Sequence, residues 1–345
     1  MGIGVRAVRC ECRISKANIK AVIQKGDIEI LVGTPAILQN SVKFNKLGLI
    51  VVDEQHRFGV VQRQALTQNN AGAVPHFLSL SATPIPRSLA LTLFGDLDIS
   101  VLKSLPSNRK PIITKIVAPN HRNEAYQLIR HEVSQGNRIF IVCPLIDESD
   151  AGAVIAATSE RERLQQEVFP NVPLGLLHGK MKSSDKAKAM KQFQDGTTPI
   201  LVCTSVVEVG VDVPEATVIV IEGAERFGLA QLHQLRGRVG RSHRASTCLL
   251  MPETSDGTNN PRLKALVKYS NGFNLAEFDL KTRGPGDLLG DTQSGFLKLR
   301  FAELADSNLL MLVRKVTDYV LKNDPALTNH GSILNHLGEL NIHPE

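Results

Sequence analysis

The chain has no tryptophan, and aromatic residues make up only 4% of its 345 residues. With so few flat side chains, we do not expect stacking of nucleic-acid bases on an aromatic platform to be the main binding mode. No apolar run approaches the ~18 residues of a membrane-spanning helix. The first residues carry arginines without the apolar core of a secretory signal. We therefore expect a cytoplasmic protein with no membrane partner.

Cysteine is also scarce, with five residues in the whole chain. Cys143, Cys203 and Cys248 lie within apolar, strand-like runs, which favours reduced, buried thiols. Cys10 and Cys12 supply only half of a metal site, because no second Cys or His pair has suitable spacing. We therefore do not expect a cysteine-based metal centre.

The charge balance is mildly basic, with a formal net charge of +6 and a pI of about 9.1. This balance is compatible with a phosphate-rich partner, although a charge of this size is weak evidence by itself. The length is sufficient for two domains of ordinary size.

Short apolar runs alternate with helical patterns, which predicts a parallel α/β architecture. The predicted strands are Ile28–Val32, Leu49–Val52, Phe77–Leu80, Ile112–Val117, Ile139–Cys143, Leu174–Leu177, Ile200–Cys203, Val218–Ile221 and Cys248–Met251. The polar, proline-flanked stretch Pro106–Pro111 is typical of a linker. We predict a partial first domain over 1–105, a complete second domain over 106–252 and a helical region over 253–345. The acidic and then alanine-rich stretch Asp147–Thr158 is interpreted as a surface excursion.

Two carboxylates directly follow the predicted strand Leu49–Val52, in the segment Asp53-Glu54-Gln55-His56. The apolar run is typical of a buried parallel strand, and open α/β sheets bind ligands at the carboxyl ends of such strands. One acid there can hold Mg²⁺ while its neighbour orients a water, as nucleotide hydrolysis requires. The structural alternative is a solvated turn or a helix N-cap.

A second predicted strand ends in the same way, at Ser81-Ala82-Thr83. Because the carboxyl ends of parallel strands meet at one sheet edge, we expect these hydroxyls beside Asp53. From there they can relay a change at a phosphate to the other domain through hydrogen bonds. As an isolated tripeptide, Ser81-Ala82-Thr83 is weak evidence for such a relay.

The strongest single segment is Gln234–Arg241, with the sequence QLRGRVGR. If the segment is helical, Arg238 and Arg241 are three residues apart and present both guanidinium groups on one face. Both can then reach one polyanion, such as a γ-phosphate across a cleft. The alternative is a solvated basic turn, but the two glycines weaken a helix without benefit to a surface.

Further polar residues follow two other predicted strands. Thr204 comes directly after Ile200–Cys203, and Glu208–Asp212 forms a turn before Pro214. Hydroxyl and backbone N–H groups there can hold a nucleic-acid phosphate, and Asp212 can accept a hydrogen bond from a ribose hydroxyl. His178 ends another strand in the same layer, and we interpret the lysines after it mostly as a solvated helix face.

In this order, the segments resemble the superfamily 2 helicases. Within this superfamily, three segments look like the RecG family, which comprises bacterial helicases of branched DNA. These segments are Asp53–Val60, Ala82–Arg87 and Glu222–Gln231. The segment Thr282–Gly290, with Gln293 behind it, resembles the helical-hairpin-and-loop translocation motif that RecG shares with transcription-repair coupling factors. Its Arg-Gly-Pro-Gly form is closer to RecG, and an RNA helicase is disfavoured. The resemblance covers nearly the whole chain.

The resemblance implies two RecA-like parallel-sheet lobes, the first incomplete, and a C-terminal helical translocation region. It implies a bacterial cytoplasmic motor that closes around ATP and Mg²⁺, moves duplex DNA, and remodels stalled forks and Holliday junctions in repair and recombination. The resemblance assigns catalysis to Asp53, Glu54, Arg238 and Arg241, with Asp53 as the Mg²⁺ ligand. It assigns ATP binding and coupling to Gln55, His56, Ser81, Thr83, Gly210, Asp212 and Gln234. It assigns DNA binding and translocation to Thr34, His178, Thr204, Arg283 and Gln293.

Two family elements are missing from the sequence. No G-x-x-x-x-G-K-[ST] phosphate loop occurs, and the wedge domain that precedes this loop in the family is absent. We therefore expect a C-terminal portion with unpaired sheet edges, uncovered apolar faces, and little or no DNA-stimulated ATPase activity. Two alternatives stay open. One is a non-catalytic DNA-binding half of a split motor, completed by a separate N-terminal polypeptide. The other is a fragment of a transcription-repair coupling factor, which would bind RNA polymerase.

Overall fold

A computed structural model describes residues 22–33, 43–53, 75–81, 100, 102, 109–144, 150–204, 213–283, 307–333 and 335. The chain divides into two compact units, which we describe separately. Unit 1 comprises Met1–Thr83 with Leu327–Glu345, and unit 2 comprises Pro84–Ala326. The division at 105 and 252 stays a prediction.

The described part of unit 1 contains a two-stranded parallel sheet. Strand β1 is Leu49–Asp53 and strand β2 is His76–Leu80. Ile50 and Val52 are buried on one face, whereas Leu49 and Val51 on the other face are 57% and 53% exposed. Leu49–Val52 is a parallel strand as predicted, but only one of its two faces is buried. The expected uncovered apolar face is present.

The predicted strand Ile28–Val32 is wrong. These residues have no regular secondary structure, and Ile30 and Val32 are 42% and 63% exposed. In the described residues of unit 1, only β1 and β2 pair with each other. An apolar run without a neighbouring strand has no ladder to satisfy its backbone groups.

Unit 2 is built on a six-stranded parallel sheet. Its strands are β3 Ile112–Ile116, β4 Arg138–Val142, β5 Leu174–Leu177, β6 Ile200–Cys203, β7 Ala216–Glu222 and β8 Ser246–Met251. Their spatial order is β3-β8-β7-β4-β6-β5, and every neighbouring pair is parallel. All six predicted strands are confirmed, with ends that differ by two residues at most.

The central strands β6 and β7 are buried along their whole length because helices cover both faces of the sheet. All residues of β6 and β7 are buried. Continuous burial of this kind is characteristic of parallel sheets packed on two sides. The edge strand β3 instead alternates between half-buried and exposed residues.

Seven α-helices lie in the described residues of unit 2. They are α1 Arg122–Ser134, α2 Asp150–Arg163, α3 Ser183–Asp195, α4 Leu229–Arg236, α5 Pro261–Lys268, α6 Gly272–Arg283 and α7 Ser307–Asn323. Helices α1 and α2 pack on one face of the six-stranded sheet, through residues such as Ile129 and Ala157. Helices α3 to α6 pack on the other face, through residues such as Phe193 and Leu232.

The stretch Asp147–Thr158, interpreted as a surface excursion, is instead largely helical. From Asp150 it belongs to α2, and Ala157 has no exposed surface. Ala157 belongs to the core between this helix and the sheet. None of the helices in the described ranges is long and apolar enough to span a bilayer.

Candidate functional site

Asp53 and Ser81 lie at one carboxyl edge of the unit 1 sheet. Asp53 ends β1 and is in register with Leu80, the last residue of β2, so that Ser81 follows one residue beyond. Both residues are exposed. The Asp53 carboxylate is therefore open to a ligand at the sheet edge where parallel strands bind one.

Several predicted site residues lie outside the described part of the chain. They are Thr34, Glu54, Gln55, His56, Thr83, Gly210, Asp212 and Gln293. Their placement and their roles stay predictions.

In unit 2, His178 and Thr204 follow the neighbouring strands β5 and β6. The Thr204 N–H donates to Leu177 O at 3.2 Å and the residue is 3% exposed, so this N–H is not available to a phosphate. His178 is half-buried, and its Nδ1 has no hydrogen-bond partner in the described structure. Burial, together with the charges of Lys186 and Lys180, lowers the pKa of His178. This corner therefore combines a neutral imidazole with two ammonium groups, which is suited to an anion.

The arginine segment is helical only in its first part. Helix α4 ends at Arg236, and Gly240 has a φ of 73° in the left-handed region. Arg238 and Arg241 therefore lie beyond the helix and do not share a helical face. A Cβ at Gly240 would lie 2.8 Å from Ile112 Cγ1, so glycine lets the chain turn closely over β3.

Gln234, Arg238 and Arg241 are all half-buried around this turn. The Arg241 Nε donates to Gly237 O at 3.1 Å, which fixes the base of its side chain against the end of α4. The two arginines thus lie on a turn that begins at the end of α4 and contains the closely packed Gly240. Such a turn can present two cations to one anionic group.

Arg236 is a structural residue that the sequence reasoning missed. Its side chain is 5% exposed and donates to the carbonyl oxygens of Leu266, Tyr269 and Ser270 at 2.8–2.9 Å. It also lies 2.9 Å from His233 Nδ1. Arg236 therefore fastens the end of α4 to the chain between α5 and α6. The signal was present in the sequence, because Arg236 follows the apolar Leu232 and Leu229 at helical spacing.

His233 completes this buried arrangement as a neutral acceptor. Burial, and secondly the charge of Arg236, lower the pKa of His233 from 6.5 to about 4. At neutral pH its Nδ1 can therefore accept a hydrogen bond from the Arg236 guanidinium.

A second missed arginine holds the loop before α4. Arg262, on α5, donates to Glu225 O at 2.9 Å and to Phe227 O at 3.2 Å. Arg283, one of the predicted DNA-binding residues, is the last residue of α6, and this helix contacts α4 and α5. The arginine turn and the start of the predicted translocation segment are thus attached to one helical group.

No group of three or more His, Cys, Asp or Glu side chains that could hold a metal ion occurs within the described ranges. Asp53 alone represents the predicted Mg²⁺ site there. Its carboxylate suits one coordination position of a hard cation.

Three family models match successive parts of the chain. A DEAD/DEAH box helicase model matches residues 2–92, and a helicase conserved C-terminal domain model matches 120–243. A model for domain 3, C-terminal, of ATP-dependent DNA helicase RecG matches 269–340.

Individual proteins give the same result. The chain is 47% identical over 316 residues to the ATP-dependent DNA helicase RecG of Synechocystis, covering 91% of this chain and 38% of the relative. It is 48% identical to the RecG of Aquifex aeolicus, covering 91% and 40%. A structure of RecG bound to a three-way DNA junction matches with a TM-score of 0.63 and 44% identity, covering 79% of this chain and 35% of that chain. The chain therefore spans well under half the length of these relatives.

Proposed function

The chain belongs to the RecG family of ATP-dependent DNA helicases, and from this premise we propose that it serves an ATP-driven motor that remodels branched DNA, such as stalled forks and Holliday junctions. The observation that carries the proposal is the match to the RecG-specific C-terminal model over 269–340, which begins directly after α5 and includes α6. The 44% identity to a RecG structure determined on a three-way junction supports branched DNA as the substrate.

We assign the nucleotide chemistry to both units. Asp53 would hold Mg²⁺ and Glu54 would orient the attacking water, with Gln55, His56, Ser81 and Thr83 relaying the nucleotide state. The exposure of Asp53 at the carboxyl edge of a parallel strand supports the metal role.

From unit 2, Arg238 and Arg241 would stabilise the charge that develops on a transferred phosphoryl group, and Gln234 would help to bind the triphosphate. Their half-buried positions on a turn fixed by Arg236 and Gly240 support this role. Gly210 and Asp212 would contribute to ATP binding and coupling.

We assign DNA contact to a second set of residues. His178 and its neighbouring lysines would contact the sugar-phosphate backbone, with Thr204 shaping the strand end beneath them. Two ammonium groups beside His178 support this role. Thr34, Arg283 and Gln293 would contribute to DNA binding and translocation.

The described residues fit ATP and Mg²⁺ in part. They supply a carboxylate and guanidinium groups, but the sequence contains no phosphate loop with backbone amides to cradle the β- and γ-phosphates. When bound, ATP would supply the free energy for movement, and Mg²⁺ would offset the phosphate charge. Because the cradle is missing, we expect turnover by this chain alone to be low.

The proposal can be tested by titrating the chain with a fluorescent ATP analogue, with and without a labelled fork DNA. We expect fork binding, and we expect analogue binding to weaken about tenfold in Arg241→Ala, the effect of losing one charge-assisted contact. Arg109→Ala, at an exposed arginine before β3, is the matched control and should bind like the unaltered chain. Equal binding by both variants would contradict the assignment of Arg241.

Turnover separates the motor from its non-catalytic alternative. ATP hydrolysis that fork DNA stimulates and that Glu54→Gln abolishes would show that the chain is active despite the missing loop. Fork binding without analogue binding would favour a DNA-binding portion only. Retention of bacterial RNA polymerase in a pull-down would favour the coupling-factor alternative.

A further inference from the structure

The outer edge of β5 carries backbone groups that point away from the sheet. β5 is the last strand in the order, and no strand among the described residues pairs with its outer side. Leu177 O accepts from Thr204 N on the β6 side. Because the backbone groups of a strand point alternately to its two sides, those of Leu174 and Leu176 face outward.

Side chains already occupy the first of these two positions. Gln165 Oε1 accepts from the Leu174 N–H at 3.2 Å, and Arg161 Nε donates to Leu174 O at 3.2 Å. These contacts imitate a neighbouring strand and protect this end of the edge. The N–H and C=O of Leu176 lie beyond this protection.

A groove of about 300 Å³ runs beside Leu176. Its apolar lining includes Leu176, Met181 and Ala189, and its polar lining includes Arg161, Asp185 and Lys188. Arg161 is on α2 and Lys188 on α3, and these helices pack on opposite faces of the sheet. The groove therefore continues the plane of the sheet, with one basic side chain on each wall.

We propose that an extended, acidic segment of a partner polypeptide binds in this groove and adds to β5 as a further strand. The edge at Leu176 offers a donor and an acceptor side by side, which a second peptide backbone satisfies simultaneously. A nucleic-acid phosphate only accepts hydrogen bonds, so it would leave the outward C=O of Leu176 without a donor.

The charges select the side chains of the partner strand. Within the groove, Arg161 and Lys188 outnumber Asp185, and the exposed Lys182 adds positive charge directly before α3. The apolar floor accepts an aliphatic side chain. Alternating acidic and aliphatic residues fit this arrangement, because successive side chains of a strand point to opposite faces.

The test uses fluorescence anisotropy with the whole chain and a fluorescein-labelled Glu-Val-Glu-Val-Glu-Val-Glu peptide. We expect saturable binding that weakens about tenfold for the lysine counterpart of the peptide. A backbone N-methylated version should weaken by a similar factor, because it loses the main-chain hydrogen bonds. Both comparisons leave the protein unchanged, so that misfolding cannot explain them.

Two protein variants locate the site. Leu176→Pro removes the outward N–H at an edge where proline is tolerated, and Lys188→Glu reverses one wall charge. Each should weaken peptide binding about tenfold, whereas Lys191→Glu, on the same helix but outside the groove lining, should not. Circular dichroism checks that the variants are folded.

Other outcomes overturn the proposal. Equal binding of the glutamate and lysine peptides, or no effect of N-methylation, rules out an acidic added strand. A dimer in sedimentation velocity that Leu176→Pro dissociates would identify a second copy as the occupant. If Leu176→Pro and Lys188→Glu lost binding to labelled single-stranded DNA rather than to the peptide, nucleic acid would occupy the groove. None of these measurements depends on ATP binding, so their failure is separate from failure of the motor assignment.

Discussion

Three arginines of one short segment occupy two different environments. Arg236 lies on the buried face of α4, where burial lowers the pKa of its guanidinium and three carbonyl oxygens receive its hydrogen bonds. Arg238 and Arg241 follow the helix end and are half-buried. Residue type is identical in all three, so helix position alone separates the structural arginine from the two candidates for phosphate contact.

Replacing Arg236 with methionine should strongly destabilise unit 2. The variant keeps the apolar stem but leaves buried carbonyl oxygens without donors, at about 1–3 kcal/mol each. We expect a loss of at least about 3 kcal/mol in the free energy of unfolding, measured by urea titration. Arg241→Met, at a half-buried position, should lose less than about 1 kcal/mol. Similar losses in the two variants would contradict the distinction.

His233 should make stability depend on pH below neutrality. Its pKa is about 4 in the folded chain and 6.5 ordinarily, so the unfolded chain takes up a proton first as pH falls. This lowers stability progressively from about pH 6.5 to about pH 4, by up to roughly 3 kcal/mol.

The contribution of His233 has to be isolated, because Glu222 acts in the opposite direction. Burial raises the pKa of Glu222 from 4.5 to about 7, although Arg122 lies 2.8 Å away. The free energy of unfolding therefore falls as pH rises from about 4.5 to about 7. We expect His233→Gln to lose the decrease between pH 6.5 and 4 while keeping the Glu222 effect. Urea titrations at several pH values give both slopes, and parallel curves for the two proteins would exclude the His233 contribution.

At the scale of elements, the turn after α4 depends on two properties of Gly240. Its φ of 73° is unfavourable for other residues, and a Cβ would meet Ile112 of β3. Gly136 provides a matched comparison, since its φ is 76° but a Cβ there has no neighbour within 4 Å. Alanine at position 240 would therefore lose stability through both the unfavourable φ and the contact with Ile112. Alanine at position 136 would lose stability through the unfavourable φ alone.

We therefore expect Gly240→Ala to cost about 1–3 kcal/mol more than Gly136→Ala, which should itself cost about 1–2 kcal/mol. Thermal unfolding of both variants measures the difference. Gly240→Ala should also weaken binding of the ATP analogue, because it displaces the turn that carries Arg238 and Arg241. Equal melting temperatures for the two variants would show that the contact with Ile112 is relieved without cost.

At the scale of the whole molecule, stability should be concentrated in the six-stranded sheet. The described core of the unit 1 sheet comprises Ile50 and Val52 with two partly buried neighbours, whereas β6 and β7 are buried throughout. Two-stranded sheets are marginal by themselves. The two units should therefore differ widely in their resistance to local opening.

Hydrogen exchange monitored by mass spectrometry tests this difference. We expect peptides covering β4, β6 and β7 to exchange slowest, the edge strand β3 to be intermediate, and β1 and β2 to exchange fastest. Binding of fork DNA and the ATP analogue should slow exchange at β1 if Asp53 takes part in ligand binding. Strong protection of β1 and β2 in the free chain would contradict the expected weakness of this sheet.

The sequence predictions were accurate for apolar runs that pair with a neighbouring strand. The strands of unit 2 were predicted within two residues, and this includes the half-exposed edge strand β3. Ile28–Val32 has the same local pattern, but no strand in the described ranges pairs with it. The stretch Asp147–Thr158 was wrongly interpreted as a surface excursion because its alanines form no clear apolar face in the sequence. Ala157 of α2 is nevertheless fully buried.

The sequence by itself determined the order of strands and helices in unit 2 and the family to which the chain belongs, since both are encoded in local patterns and spacings. It also determined which residue types stand at the carboxyl ends of β1, β5 and β6. Only the tertiary structure decided that Arg236 is buried while Arg238 and Arg241 are not, that Gly240 is packed against Ile112, and that the outer edge of β5 is half protected. These properties depend on contacts between segments far apart in the chain, and no local pattern specifies them.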